Sequence, residues 1–114
     1  NGSSPSISEA VRRAKEAYPH AEVEIEITQF DQLAEVLKTD AGVIILSKMH
    51  PEPIKKCVKE IKKSKKKVYL DSSLASITLS TIRAYAETGV DAISVSTLTH
   101  SVQAIEIGMR LYTK

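Results

Sequence analysis

The stretch TLSTIRAYAETGVDAISVSTLTHS, residues 78–101, decides the architecture. Thr78 is a helix-capping residue, and Leu79, Ile82 and Tyr85 behind it fall at helical spacing. Gly89 supplies the left-handed residue that ends such a helix. Ala92 to Ser96 is a short run of β-branched and small residues, the pattern of a strand. Thr99 is a candidate N-cap for a last helix, with Val102, Ile105, Met109 and Tyr112 on one face. The stretch therefore reads as one αβ unit running into the start of a further helix.

The same unit recurs upstream. Ser6 or Ser8 can cap a first helix that carries Ile7, Val11, Ala14 and Tyr18 on one face and is stopped by Pro19. Val23, Ile25 and Ile27 then alternate with Glu24, Glu26 and Thr28, which predicts a half-buried strand. A second helix is expected from about Phe30 to Lys38, with Phe30, Leu33, Ala34 and Leu37 facing inward. Gly42 to Leu46 is a continuous apolar run, the mark of a central strand. Pro51 and Pro53 open a third helix, where proline is tolerated in the first turn, and Ile54, Cys57, Val58 and Ile61 form its buried stripe. Lys67 to Asp71 is a third strand.

The predicted fold class is α/β, with four parallel strands alternating with five helices, because strands separated by helices pair in parallel through right-handed crossovers. Two arrangements satisfy this. One resembles half of a (βα)8 barrel with a leading helix; the alternative is a flavodoxin-like three-layer sandwich. Val23, Ile25, Ile27, Val43, Ile45, Val68, Leu70, Ile93 and Val95 are expected to make one apolar face. Helices stacked on a single side suit that face, and the half-barrel arrangement is the one expected.

The chain has 114 residues, of which 42% are apolar, enough for one domain with a real core. Residues 1–6 read as a flexible leader or cloning scar, and residues 7–114 as a single domain. The formal net charge of +2 demands no polyanionic partner. A lone cysteine excludes an internal disulfide framework and fits a reducing, cytoplasmic setting, or a recombinant one. No apolar run is long enough for a transmembrane helix, so no membrane association is expected.

Several residues invite a chemical reading. Glu24 and Glu26 share a strand face, and with Asp71 across the sheet they could form an acidic cluster. No nucleophile, general acid or oxyanion donor joins them, so polar residues on a solvent-facing surface are expected instead. The lysines at 55, 56, 59, 62, 63, 65, 66 and 67 form one basic run. Ile54, Cys57, Val58 and Ile61 interrupt it at helical spacing, which describes a solvated helix face, and no nucleic-acid partner is expected. Cys57 lies on the buried stripe and reads as core. Ser72, Ser73 and Ser76 read as a hydroxyl-rich loop without a nucleophile elbow. His20, His50 and His100 lack a metal-ligand spacing.

The pieces AVRRAKEAYPH at 10–20, VEIEI at 23–27, TLSTIRAYAETGVDAISV at 78–95 and LTHS at 98–101 carry a family resemblance. From Val11 to Tyr112 the chain resembles the C-terminal half of the barrel in quinolinate phosphoribosyltransferase, also called nicotinate-nucleotide pyrophosphorylase. The resemblance implies a pentosyltransferase site at the carboxyl ends of the strands, and this chain departs from the family pattern there. The E-V-E-x-E strand retains Glu24 and Glu26, a former acidic site, but ends in Thr28. The L-D-N-M segment reads Leu46, Ser47, Lys48, Met49, without its metal-binding aspartate. The E-A-S-G-G-I segment reads Ser72, Ser73, Leu74, Ala75, Ser76, Ile77, and Ser96 replaces a glycine ahead of LTHS.

Loss of a carboxylate at Ser47 removes a hard oxygen ligand for Mg²⁺. Added Cβ atoms at Ala75, Ser76 and Ser96 obstruct close approach of a phosphate to the backbone. These changes at one rim, with the family's substrate domain unmatched, imply an engineered, catalytically silent scaffold with no catalytic residues, no metal and no cofactor. Weak phosphate binding at Ser76, Thr78, Ser96, Thr99 and His100 is the alternative, with His100 more simply a residue of a capping turn. A homodimer closing a barrel through the sheet edges is a further alternative. Lys48, Ser72 and Ser76 read as solubilising residues on the rim and favour a monomer, with no partner required.

Overall fold

The computed structural model describes residues 6–76, 78–95 and, in backbone only, 105–111. The elements run α1 (Ile7–Ala17), β1 (Ala21–Ile27), a 3₁₀ turn (Phe30–Gln32) leading into α2 (Leu33–Val36), β2 (Val43–Ser47), α3 (Pro51–Ser64), β3 (Tyr69–Leu74), α4 (Leu79–Ala86), β4 (Ala92–Val95) and β5 (Ile105–Leu111). The strands form one sheet in the order β4-β3-β2-β1-β5. β1 to β4 are parallel and neighbour one another in chain order, while β5 lies antiparallel against β1.

That order settles the architecture. A flavodoxin-like sandwich reverses direction within its sheet and places helices on both faces. Here each right-handed crossover advances one strand the same way, which stacks the helices on one side. The buried residues agree: Val11 of α1, Leu33 and Val36 of α2, Ile54, Cys57, Val58 and Ile61 of α3, and Tyr85 of α4 join one core with Val23, Ile25, Ile27, Ile44, Leu46, Leu70 and Leu74 of the sheet. The four parallel strands and the half-barrel arrangement are as expected from the sequence.

The fifth helix is not. Residues Ile105–Leu111, expected in a C-terminal helix, form β5, with Ile105, Ile107, Met109 and Leu111 in register with Ile27, Ile25, Val23 and Ala21. The residue types alternate with period two over this stretch, and Gly108 is a poor helix former. Pairing also covers an edge of β1 that would otherwise leave its ladder groups open. The proposed cap Thr99, with Val102 and Tyr112, lies outside the described residues.

The phase of β2 also differs from expectation. Ile44 and Leu46 are buried on the helix side, while Val43 and Ile45 align with Glu24 and Glu26 on the other face. A continuous apolar run carries no alternation from which to read its phase. β3 starts two residues later than expected, which puts Ser72 and Ser73 inside a strand rather than a loop; Ser72 is fully buried and is no solubilising rim residue. Leu79 is 88% exposed and Ile82 40%, so of the three apolar positions expected on α4 only Tyr85 is buried. In the second helical segment Leu33 and Val36 are buried, and Phe30 and Ala34 are exposed.

The local signals at the helix ends hold. Ser6 caps α1 by accepting the Glu9 N–H at 3.1 Å, and the α1 N-terminus is tied to α2 where Ile7 N–H donates to Glu35 Oε2 at 3.1 Å. Pro51 and Pro53 sit in the first turn of α3. Gly89 follows α4 with φ of +98°, the left-handed conformation that glycine adopts without penalty. Among the described residues no helix is long and apolar enough to cross a membrane.

Candidate functional site

The helix-free face of the sheet is mixed in character. Register places Glu24, Val43 and Tyr69 in one row, Glu26, Ile45, Asp71 and Ala92 in the next, and Ser47, Ser73 and Ser94 in the third, nearest the carboxyl ends. The Ser94 hydroxyl donates to both carboxylate oxygens of Asp71, at 3.1 and 3.3 Å. Glu26 and Asp71 lie two strands apart with Ile45 between them, about 9.6 Å at the usual strand spacing. Glu24, Glu26 and Asp71 thus share the helix-free face, the two glutamates on β1 and the aspartate on β3. Among the described residues no three His, Cys, Asp or Glu side chains come together as a metal-holding group.

At the carboxyl ends of β1 and β2 a cleft of about 300 Å³ opens, lined by Thr28, Gln29, Phe30, Lys48, Met49, His50, Pro53 and Lys56. Its walls are held by specific contacts. Gln32 Oε1 accepts the N–H groups of Thr28 at 2.8 Å and Gln29 at 2.9 Å, which fixes the turn after β1. The Lys48 N–H donates to the Ser73 carbonyl at 3.1 Å. The Tyr85 hydroxyl donates to the Met49 carbonyl at 2.7 Å, anchoring the loop after β2 to α4. Lys48 has φ of 57°, a left-handed conformation unusual for a side-chain-bearing residue. The lining residues include the basic Lys48, His50 and Lys56 and no Asp or Glu.

The residues nominated for phosphate divide. Ser76 is exposed just after β3. Thr78 caps α4: its Oγ1 accepts the Thr81 N–H at 3.2 Å and lies 2.9 Å from the Thr81 hydroxyl. One of the N–H groups an anion would use is therefore already satisfied. Ser96, Thr99 and His100 lie outside the described residues. Cys57 is fully buried and its thiol is pushed up to about 11 by burial, which keeps it protonated and unreactive. Lys56 and Phe30 escaped the sequence reading as cleft residues. Lys56 belongs to a basic run whose simplest meaning is a solvated face, and Phe30 follows the apolar spacing of an inward stripe.

With this geometry in place, likeness to known proteins is informative. The sequence model of the family described as "Quinolinate phosphoribosyl transferase, C-terminal domain" matches residues 2–110. The chain belongs to that family. The probable nicotinate-nucleotide pyrophosphorylase [carboxylating] of Methanocaldococcus jannaschii is 32% identical over 107 residues, covering 90% of this chain and 38% of the relative. The Bacillus subtilis counterpart is 33% identical over 105 residues, covering 91% of this chain and 35% of the relative. Among solved structures, the nicotinate-nucleotide pyrophosphorylase from Francisella tularensis superposes with a TM-score of 0.72 at 32% identity, covering 95% of this chain and 37% of that one. The Ehrlichia chaffeensis structure gives 0.71 at 28% identity. The chain spans less than two fifths of the length of these relatives.

Family membership gives the two ends of the sheet different meanings. In parallel α/β folds ligands bind at the carboxyl ends of the strands. The cleft beside Lys48 lies at that end. Ser47, Lys48, Ala75 and Ser76 fall there too, in or just after β2 and β3.

Proposed function

We propose that this chain is a catalytically silent member of the quinolinate phosphoribosyltransferase family, a resurfaced barrel segment that keeps the wall of the fold without phosphoribosyl transfer. The end of β2 carries this reading. Ser47 and Lys48 stand where the resemblance places a metal-binding aspartate and its neighbour, and Lys48 lines the cleft with an ammonium group. A fixed cation there repels a divalent metal ion, whereas a carboxylate would attract it. Ala75 and Ser76 add side-chain atoms where the family pattern has a glycine pair, so the backbone is less open to a phosphate.

The test is an assay with quinolinate, a phosphoribosyl pyrophosphate donor and Mg²⁺. No product above the protein-free control is expected, and Mg²⁺-dependent turnover overturns the proposal. The scaffold reading also expects a monomeric mass in light scattering; a doubled mass would support closure by a second copy instead.

The absence of any carboxylate from the lining around Lys48, His50 and Lys56 favours a second reading, weak anion binding without turnover. Phosphate titration followed by amide NMR checks it. Saturable shifts at Lys48 and Met49 support that reading, and unchanged amides at millimolar phosphate remove it.

A further inference from the structure

β5 differs from the other strands in direction and in position. β1 to β4 run parallel in chain order, whereas β5 comes after them in the chain yet lies beyond β1, antiparallel to it. The edge it covers is a hazard. β1 alternates cleanly along Ala21–Ile27, with Ala21, Val23, Ile25 and Ile27 buried. A long edge of that pattern, left open, is a template for another chain.

The register shows what else fits there. Ala21 to Ile27 stand opposite Leu111 to Ile105, so the pairing is centred on Glu24 opposite Gly108. β1 reads A-E-V-E-I-E-I and alternates symmetrically about Glu24. Set antiparallel against itself about that residue, β1 of a second copy places Val23 opposite Ile25 and Ala21 opposite Ile27. Every apolar position of β5 is then taken by an apolar residue of β1, in the same phase. Such a two-fold pair is isologous and closes on itself.

Charge decides between the two occupants. β5 sets Arg110, Gly108 and Glu106 opposite Glu22, Glu24 and Glu26, so a single row opposes like charges. A second β1 opposes glutamate to glutamate in all of those rows, which destabilises the pair. The chain's own strand is therefore preferred while it is free to pair. A parallel partner fits less well than either. Two copies closing a barrel through β4 and β1 would enclose Glu24, Glu26 and Asp71 of both on the inner face, and burying so many carboxylates together is costly. A β1–β1 pair leaves them on an open face.

We propose that the β1 edge is a self-association surface and that β5 is its displaceable cap. With β5 in place the chain is a monomer; with β5 detached, β1 of a second copy takes its position. Edge pairing of this kind is independent of turnover at the Lys48 cleft.

Native-state hydrogen exchange of the parent chain tests the cap. The β5 amides are expected to open at a lower free energy than the β2 amides, which exchange only on global unfolding. If β5 opens only together with β2, it is no cap and the proposal falls. The full chain carrying Ile107→Pro and Gly108→Pro tests the edge, since adjacent prolines remove a ladder donor whichever of the two faces β1. At about 0.1 mM, light scattering should give the parent as a monomer and this variant as a dimer. The α3 and β3 amides should keep their dispersion; an unfolded variant makes β5 part of the core and overturns the proposal. Added salt should strengthen the dimer, and Glu24→Gln in the proline variant should tighten it by about threefold. Glu24→Cys in the same variant should form an interchain disulfide across the two-fold axis, and in the parent it should not, Cys57 being buried in both. A monomeric proline variant overturns the surface. A dimer that salt weakens, or that does not cross-link at position 24, overturns the β1–β1 pairing.

Discussion

Replacing Ser72 with alanine should make this protein more stable. Ser72 is fully buried in β3, on the helix-covered face, in register with Leu46 on one side and Ile93 on the other. Its Oγ has no hydrogen-bond partner. A buried hydroxyl that gives up water without regaining a partner costs about 1–3 kcal/mol. Removing the oxygen also loses its dispersion contacts, at about 0.1–0.2 kcal/mol each, so several of them offset roughly half to one kcal/mol. The net expectation for Ser72→Ala is stabilisation by about 1 kcal/mol. Urea unfolding followed by circular dichroism should show a midpoint raised by roughly half a molar unit at unchanged slope, and thermal unfolding a rise of about 4 °C. Ser76→Ala, at an exposed position, is the control and should stay within about 0.5 kcal/mol of the parent. If Ser72→Ala lowers the midpoint at constant slope, the hydroxyl has a partner and the reasoning fails.

Three other expectations follow from single contacts. Gly89→Ala should destabilise by about 1–2 kcal/mol in urea unfolding, because the residue has φ of +98° and an added Cβ would sit 3.2 Å from Val58 Cγ1. Tyr85→Phe removes the 2.7 Å bond to the Met49 carbonyl and should cost about 1 kcal/mol, with faster hydrogen exchange in the loop after β2. The Cys57 thiol, raised from 9.0 to about 11, keeps its proton in the folded chain after the unfolded chain has begun to lose it. Its contribution to stability is therefore complete below pH 9 and lost as pH climbs towards 11, so a Cys57→Ala variant should lose less stability over that interval than the parent does. At pH 8 a thiol reagent should label Cys57 only as fast as the protein opens.

What could be read from the chain depended on how each residue announces itself. Ser6, Pro51, Thr78 and Gly89 act through local chemistry, by capping, fixing φ or permitting a left-handed turn, so their roles were visible in the sequence. The alternation in β1 set its own phase. The run from Val43 to Leu46 has no such marker, and only pairing with Glu24 and Glu26 fixes which side each residue takes. At the C-terminus the apolar spacing fitted a helix, whereas the unsatisfied edge of β1 is a tertiary demand that no local pattern expresses. The Lys48 cleft was partly legible. Lys48 stood out through the family resemblance, but Phe30 and Lys56 reach the cleft only because of the turn after β1 and the start of α3.

The two edges of the sheet differ in a way that bears on how this segment behaves. β5 pairs along the whole of β1, residue Ala21 to Ile27, and so closes that edge in the antiparallel sense. Among the described residues the two edges of the sheet are therefore β4, parallel to its neighbour, and β5, antiparallel to its own. β4 is four residues long, and short edge strands offer little ladder to a partner. Yet Val95 on it is 46% exposed, and α4 beside it exposes Leu79 and Ile82. The apolar exposure at this edge is therefore a matter of how β4 and α4 pack, separate from the buried Ser47 and the exposed Lys48 and Ser76 at the carboxyl ends of β2 and β3.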